Sequence, residues 1–321
     1  MRSSILTLVT IRVIGMLALL SALALLPMQS AHAAGAVPAG PIGNYCTPEY
    51  QIVQTFSNQA KWEMCWEPRA GYGYRLTPVI YTPPSGIRRM VLYSLHVAQL
   101  FVPYDDNGNR FLDIGYGKNL EVLTAAECPG GSLLTASTLC LVHRPAGFLF
   151  KNVNKSTSAQ SDSFAVFGYI AFNSYKYILQ YTFFNDGTIE PSVGATGKLA
   201  RFAGTSSTGW PIGTQPNYGV NHNHLLIWRM DFDLHEAANN LVERIEINGA
   251  GTDTRNMTVT QLTTEIKERN DLANPRFWRV RHTAQINADG RSISYEIEPS
   301  VTDQLRAPED FTQNDFYLTE Y

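Results

Sequence analysis

Two histidines, His222 and His224, sit two residues apart in Tyr218-Gly219-Val220-Asn221-His222-Asn223-His224, which leads into Leu225-Leu226-Ile227-Trp228-Arg229-Met230-Asp231-Phe232-Asp233. The run reads as β-strand. Alternate strand side chains share a face, so both imidazoles point the same way and could hold one metal ion. Imidazole suits copper and zinc. Taken alone, such a pair is more often exposed or hydrogen-bonded than metal-bound, and a third ligand must come from elsewhere. Asp231 and Asp233 follow as an acidic pair that reads equally as a solvated strand face.

These residues need a frame, and the sequence patterning points to an all-β one. Short runs rich in β-branched and aromatic residues alternate with turn signals. Leu76–Tyr81, Phe164–Ile170, Tyr177–Phe184 and Leu225–Phe232 are examples. Asn185-Asp186-Gly187 and Asp289-Gly290 read as hairpin turns. Helical periodicity is weak, with one short candidate over Leu262–Asn270. The expected class is all-β, a large antiparallel β-sandwich.

The chain of 321 residues opens with Arg2 and Arg12, an apolar run over Val13–Leu26, and Ala31-His32-Ala33 as a small-x-small cleavage pattern. That predicts a secretory signal peptide over residues 1–33 and a secreted or periplasmic protein, with no membrane association after cleavage. Residues 34–45 are rich in Ala, Gly and Pro and read as a flexible lead-in, leaving 46–321 as the folded domain. The formal net charge is −3 without a Lys/Arg cluster, so nothing points to a nucleic-acid partner. Four cysteines, Cys46, Cys65, Cys128 and Cys140, fall into two local pairs. Locality favours Cys46–Cys65 and Cys128–Cys140 in an oxidising compartment, though four cysteines allow two other pairings.

Upstream of the histidines lie Val102-Pro103-Tyr104, Phe111-Leu112-Asp113-Ile114-Gly115, Cys128-Pro129-Gly130, Leu139-Cys140-Leu141-Val142-His143, and Tyr175-Lys176-Tyr177 running on to Asp186-Gly187-Thr188-Ile189. Their order resembles the catalytic domain of the copper amine oxidases, from about Arg75 onward. The resemblance implies that Tyr175 is the precursor of topaquinone and that His222 and His224 are two copper ligands. It makes Asp113 the catalytic base and Tyr104 the residue that holds the quinone. Asp231 and Asp233 match the family's peripheral calcium pair, and Cys128 and Cys140 match its disulfide. The activity implied is oxidative deamination of a primary amine by oxygen to aldehyde, ammonia and hydrogen peroxide, in a homodimer when intact. The chemistry is coherent, because unmodified side chains are poor electron sinks and amine oxidation needs an electrophilic carbonyl.

Three departures stand out. Ser174 replaces the family's asparagine before the cofactor tyrosine, with Asn173 one place early. Lys176 replaces an acid, which is expected to set a cation beside the quinone site. The family's remaining copper histidine lies beyond the stretch that Leu318-Thr319-Glu320-Tyr321 matches, so a truncated oxidase is expected. The alternative is a non-catalytic exported β-sandwich relative that has lost copper and quinone chemistry.

Overall fold

In a computed structural model of the chain, the residues described are 40–84, 86–105, 108–114, 119–153, 156–249, 251–270, 275–298 and 306–319. The expected signal peptide, residues 34–39 of the lead-in, Gly115 and the final Glu320-Tyr321 lie outside them.

The fold is built from β1 (Gln51–Thr55), β2 (Lys61–Arg69), β3 (Gly73–Thr82), β4 (Arg89–Pro103) and β5 (Arg110–Ile114), then β6 (Ser132–Leu133), β7 (Cys140–Asn152), β8 (Thr157–Phe172), β9 (Tyr175–Phe184) and β10 (Ile189–Gly197). Short strands β11 (Phe202–Ala203), β12 (Gly209–Pro211) and β13 (Asn217–Val220) lead to β14 (Leu225–Phe232). After these come β15 (Asn240–Asn248), β16 (Asn256–Leu262), β17 (Ile266–Glu268), β18 (Arg276–Ile286), β19 (Ser292–Ile297) and β20 (Phe316–Leu318). Every pairing is antiparallel. The first sheet runs β1-β2-β3-β4-β14, with β5 on the far end of β4, and the second runs β10-β9-β8-β7-β6.

These two sheets face each other across the core. Trp62 of β2 is fully buried, packs on Phe183 and donates its indole N–H to the Phe184 carbonyl at 2.9 Å. Tyr74 of β3 donates to the Val166 carbonyl at 2.9 Å, and Trp228 of β14 meets Tyr181 edge-on. Buried aromatic side chains of this size supply much of the apolar burial, while their polar tips find backbone acceptors.

The expected all-β sandwich is what forms; among the described residues there is no α-helix, only five short 3-10 turns. The helix expected over Leu262–Asn270 is instead the end of β16 followed by β17, which pairs with β20. Tertiary partners override the local pattern there: the buried Glu268 carboxylate takes the Trp278 indole N–H at 2.7 Å and the Arg244 guanidinium. Both hairpin turns form, with Gly187 and Gly290 at positive φ. Both local disulfides also form, Cys46–Cys65 and Cys128–Cys140. The first anchors the end of the expected lead-in, where Ile42 is buried against Cys65 and Ile80.

Candidate active site

The site lies where one end of β4 and the approach to β14 meet the first residues of β9. The β4–β14 ladder continues past both strand ends through a bridge between Tyr104 and His222. Asp105 N–H donates to the Asn221 carbonyl at 2.9 Å, and Asn223 N–H to the Pro103 carbonyl at 3.3 Å. The two histidines therefore precede β14 in extended backbone and are not within the strand, a correction to the sequence expectation. They still converge, with ring centroids 4.9 Å apart.

Tyr175 opens β9 straight after a two-residue turn, Asn173-Ser174, with Phe172 and Tyr175 paired. Asn173 takes a positive φ of 50°, which asparagine tolerates better than most residues. Strand alternation turns Tyr175 and Tyr177 inward and Lys176 outward. Lys176 is exposed and its ammonium lies over the Tyr169 ring, so the cation expected beside Tyr175 is on the opposite face of the sheet.

The Tyr175 hydroxyl has a full set of partners. Tyr104 O–H donates to it at 3.2 Å and Ala200 N–H at 3.3 Å. His222 Nε2 stands 3.2 Å away. The other ring nitrogen of His222, Nδ1, lies 2.8 Å from the Val220 carbonyl, which can only accept. Nδ1 therefore carries the proton, and the Nε2 lone pair faces the Tyr175 hydroxyl and takes its O–H. A backbone carbonyl fixing the tautomer in this way is the usual outer support of a metal-binding imidazole.

Tyr177 was not singled out by the sequence reading, although its place two residues from Tyr175 on one strand face was the available signal. Its hydroxyl donates to Asp113 Oδ2, and His224 Nδ1 lies 3.2 Å from it. With the Tyr177 proton committed to the carboxylate, His224 donates through Nδ1–H, and its Nε2 keeps a lone pair. Burial, with Asp113 beside it, pushes Tyr177 well above the ordinary tyrosine range, so it remains a donor. Burial raises Asp113 too, against the opposing pull of the Tyr177 hydrogen bond and of His222. Burial, then the neighbouring His222, lowers His224 to about 4 and keeps it neutral.

The structure thus brings Tyr104, Asp113, Tyr175, His222 and His224 together. Tyr104 is also packed by Phe111 and Phe202, at ring distances of 5.7 Å and 4.7 Å. Asp231, near the end of β14, is in register with Ser94, well down β4 from Tyr104; Asp233 lies just beyond the strand and is raised by burial and by Asp231. The donor set suits copper in type: two imidazole rings on one face beside a phenol oxygen. Among the described residues no group of three or more His, Cys, Asp or Glu is placed to hold a metal, so these residues account for two donors.

Comparison with known proteins agrees. The copper amine oxidase enzyme domain matches residues 54–320. Primary amine oxidase 2 of Arabidopsis thaliana is 26% identical over 236 residues, 61% of this chain and 35% of that protein. The primary amine oxidase of Arthrobacter sp. (strain P1) is 24% identical over 327 residues, 87% of this chain and 50% of that protein. The crystal structure of a copper-containing benzylamine oxidase from Hansenula polymorpha superposes with a TM-score of 0.63 at 20% identity, covering 82% of this chain and 47% of that one. The chain thus spans between about a third and a half of the length of these proteins. With the enzyme-domain match running through every strand but part of β1, this chain belongs to the copper amine oxidase family.

Proposed function

We propose that this chain carries the catalytic face of an exported amine oxidase that deaminates a primary amine, with oxygen as final acceptor, to aldehyde, ammonia and hydrogen peroxide. The observation that carries the reading is the Tyr175 hydroxyl held 3.2 Å from His222 Nε2 while Tyr177 links Asp113 to His224. His222 and His224 would hold copper through Nε2 of each ring. Bound copper, with oxygen, would supply the oxidising chemistry for converting Tyr175 to a quinone, which would offer the carbonyl electron sink that amine oxidation needs.

The chain's own residues have distinct parts. Tyr104 and Ala200 N–H direct two donors at the Tyr175 oxygen and so favour negative charge there, while His222 accepts its proton. Asp113, raised by burial, suits removal of the proton from the carbon that bears the amine. Phe111 and Phe202 stack beside Tyr104 and limit water at that edge. Export fits two disulfides, and no helix among the described residues is long and apolar enough to cross a membrane. A homodimer is part of the same proposal.

The test is to expose the full chain to copper(II) in air, then stain the denatured protein for quinone redox cycling and assay peroxide release with a panel of primary amines. Staining and peroxide in the wild type, both lost in Tyr175→Phe, are expected. A second reading, a scaffold without this chemistry, is favoured by the absence of a third His, Cys, Asp or Glu beside the pair among the described residues. It predicts a blank stain with normal folding.

A further inference from the structure

The main chain of Tyr104 is held from two sides. On one side the bonds of its bridge to His222 are made by its neighbours, Asp105 N–H donating to Asn221 and Pro103 accepting from Asn223. Its own N–H and carbonyl turn to the other side. The N–H donates to the Asn109 carbonyl at 3.1 Å. The β4–β5 ladder has ended there, at Pro103 opposite Arg110, so a side chain supplies the donor that a strand would otherwise offer. Arg110 Nη1 donates to the Tyr104 carbonyl at 2.8 Å and to the Asn109 carbonyl at 2.9 Å. One nitrogen thus clamps both ends of the 104–109 connection.

The guanidinium is itself held by a distant segment. Its Nε donates to Glu309 Oε1 at 3.0 Å, 199 residues along the chain, in a part-buried ion pair. Glu309 precedes the 3-10 turn Asp310–Thr312, and that segment is braced internally. The Thr312 hydroxyl donates to the Ala307 and Glu309 carbonyls at 2.6 Å and 2.7 Å. Arg306 donates to the Thr312 carbonyl at 3.0 Å and to both Asp315 carboxylate oxygens at 2.7 Å and 2.8 Å. Asp315 also takes the Asn270 N–H at 2.7 Å, just beyond β17. Phe311 in the turn packs edge-on against Phe101 of β4, with centroids 5.1 Å apart. The Glu309 carboxylate therefore reaches Arg110 from a fixed base. A planar guanidinium fork can serve a carboxylate and two carbonyls at once, whereas lysine offers a single point of charge.

We infer that Arg110 is a positioning residue of the active site: it fixes the main chain of Tyr104, and through it the hydroxyl that donates to Tyr175, while Glu309 holds the guanidinium in that place. This rests on the reading above of Tyr175 as the quinone precursor. The C-terminal segment thereby reaches the site without touching Tyr175, and the geometry around the Tyr175 oxygen depends on an acceptor at Glu309.

The test uses the full chain, before copper is added, with tyrosine labelled at Cζ with carbon-13. The Tyr104 and Tyr175 resonances are assigned from Tyr104→Phe and Tyr175→Phe. Glu309→Ala releases Arg110, and Arg110→Lys removes the fork, so each is expected to shift both resonances. Glu309→Gln keeps an acceptor for Nε–H and should hold both in place. The same variants are then exposed to copper(II) in air and stained for quinone. The stain should develop several-fold more slowly in Glu309→Ala than in wild type, and Glu309→Gln should recover much of the rate. A Glu309→Ala variant that melts earlier with both resonances unmoved would leave only an ordinary ion pair and overturn the inference. So would a Glu309→Gln variant displaced as far as the alanine one. Should Arg110→Lys not fold, Glu309→Ala decides. A wild type that never stains counts against the oxidase reading alone, and the resonances still decide this inference.

Discussion

Tyr104 and His222 are stacked face to face, ring centroids 4.5 Å apart and planes 21° from parallel, across a bridge that prolongs the β4–β14 ladder beyond both strands. The stack sets the imidazole plane, and the Val220 carbonyl sets its tautomer. Between them they aim one lone pair at Tyr175. Tyr104→Phe keeps the stack and removes one donor from the Tyr175 oxygen. A stability loss of about 1 kcal/mol is expected. Copper affinity should stay unchanged by titration, while the quinone stain develops several-fold more slowly.

Tyr177→Phe separates Asp113 from His224. A buried carboxyl loses its O–H donor, and the expected cost is about 1–3 kcal/mol by urea unfolding at neutral pH. The Tyr177 hydrogen bond is the larger of the two effects that pull Asp113 down against burial, so its loss raises Asp113 further. A carboxyl with a raised folded pKa favours the folded state as pH falls, so the destabilisation should shrink towards acid. In an active preparation the acidic limb of kcat/KM should move to higher pH. A limb that stays in place would remove Asp113 from the role of base.

Gly197 closes β10 at φ 122°, against the start of β9. A Cβ there would collide with the Ser174 carbonyl oxygen and sit 3.1 Å from the Tyr175 Cα. That carbonyl also accepts Lys198 N–H at 2.9 Å. Gly197→Ala should cost about 1–3 kcal/mol through backbone strain and displace Tyr175 from its donors. Denaturant midpoints measure the first effect and the rate of quinone staining the second.

The Cys46–Cys65 bridge closes a 19-residue separation. Replacing both cysteines with serine should lower stability by about 3 kcal/mol under non-reducing conditions. Under strong reductant the variant and the wild type should unfold at the same denaturant concentration.

His96 gives the fold an acid weakness. Its pKa is about 4 in the folded chain against an ordinary 6.5, so the unfolded chain takes up the proton first as pH falls. Its contribution to stability is complete above pH 6.5 and is lost between 6.5 and 4, at no more than about 1.4 kcal/mol per pH unit. His96→Gln should flatten the urea midpoint over that range. Some slope should remain, since His224 is lowered in the same way.

Much of this was legible from residue order. The aromatic alternation of Tyr175, Tyr177, Leu179, Tyr181 and Phe183 reads directly as a strand with one buried face, and it forms β9. Asn185-Asp186-Gly187 reads as a turn because glycine reaches positive φ at no steric cost, and Gly187 does so at 95°. The segment Leu262–Asn270 misled because helical spacing over so short a stretch is weak, while Glu268 is claimed by Trp278 and Arg244. Lys176 misled because adjacency along a strand places residues on opposite faces.

Alternation, turn chemistry and motif order are properties of neighbours along the chain, so the primary structure alone determined the β class, the hairpins and the set of residues worth watching. Which hydroxyl meets which nitrogen was decided elsewhere. Tyr104 and Tyr175 lie 71 residues apart, and Asp113 and Tyr177 lie 64 apart. Only the packing of two sheets brings such groups within hydrogen-bonding reach.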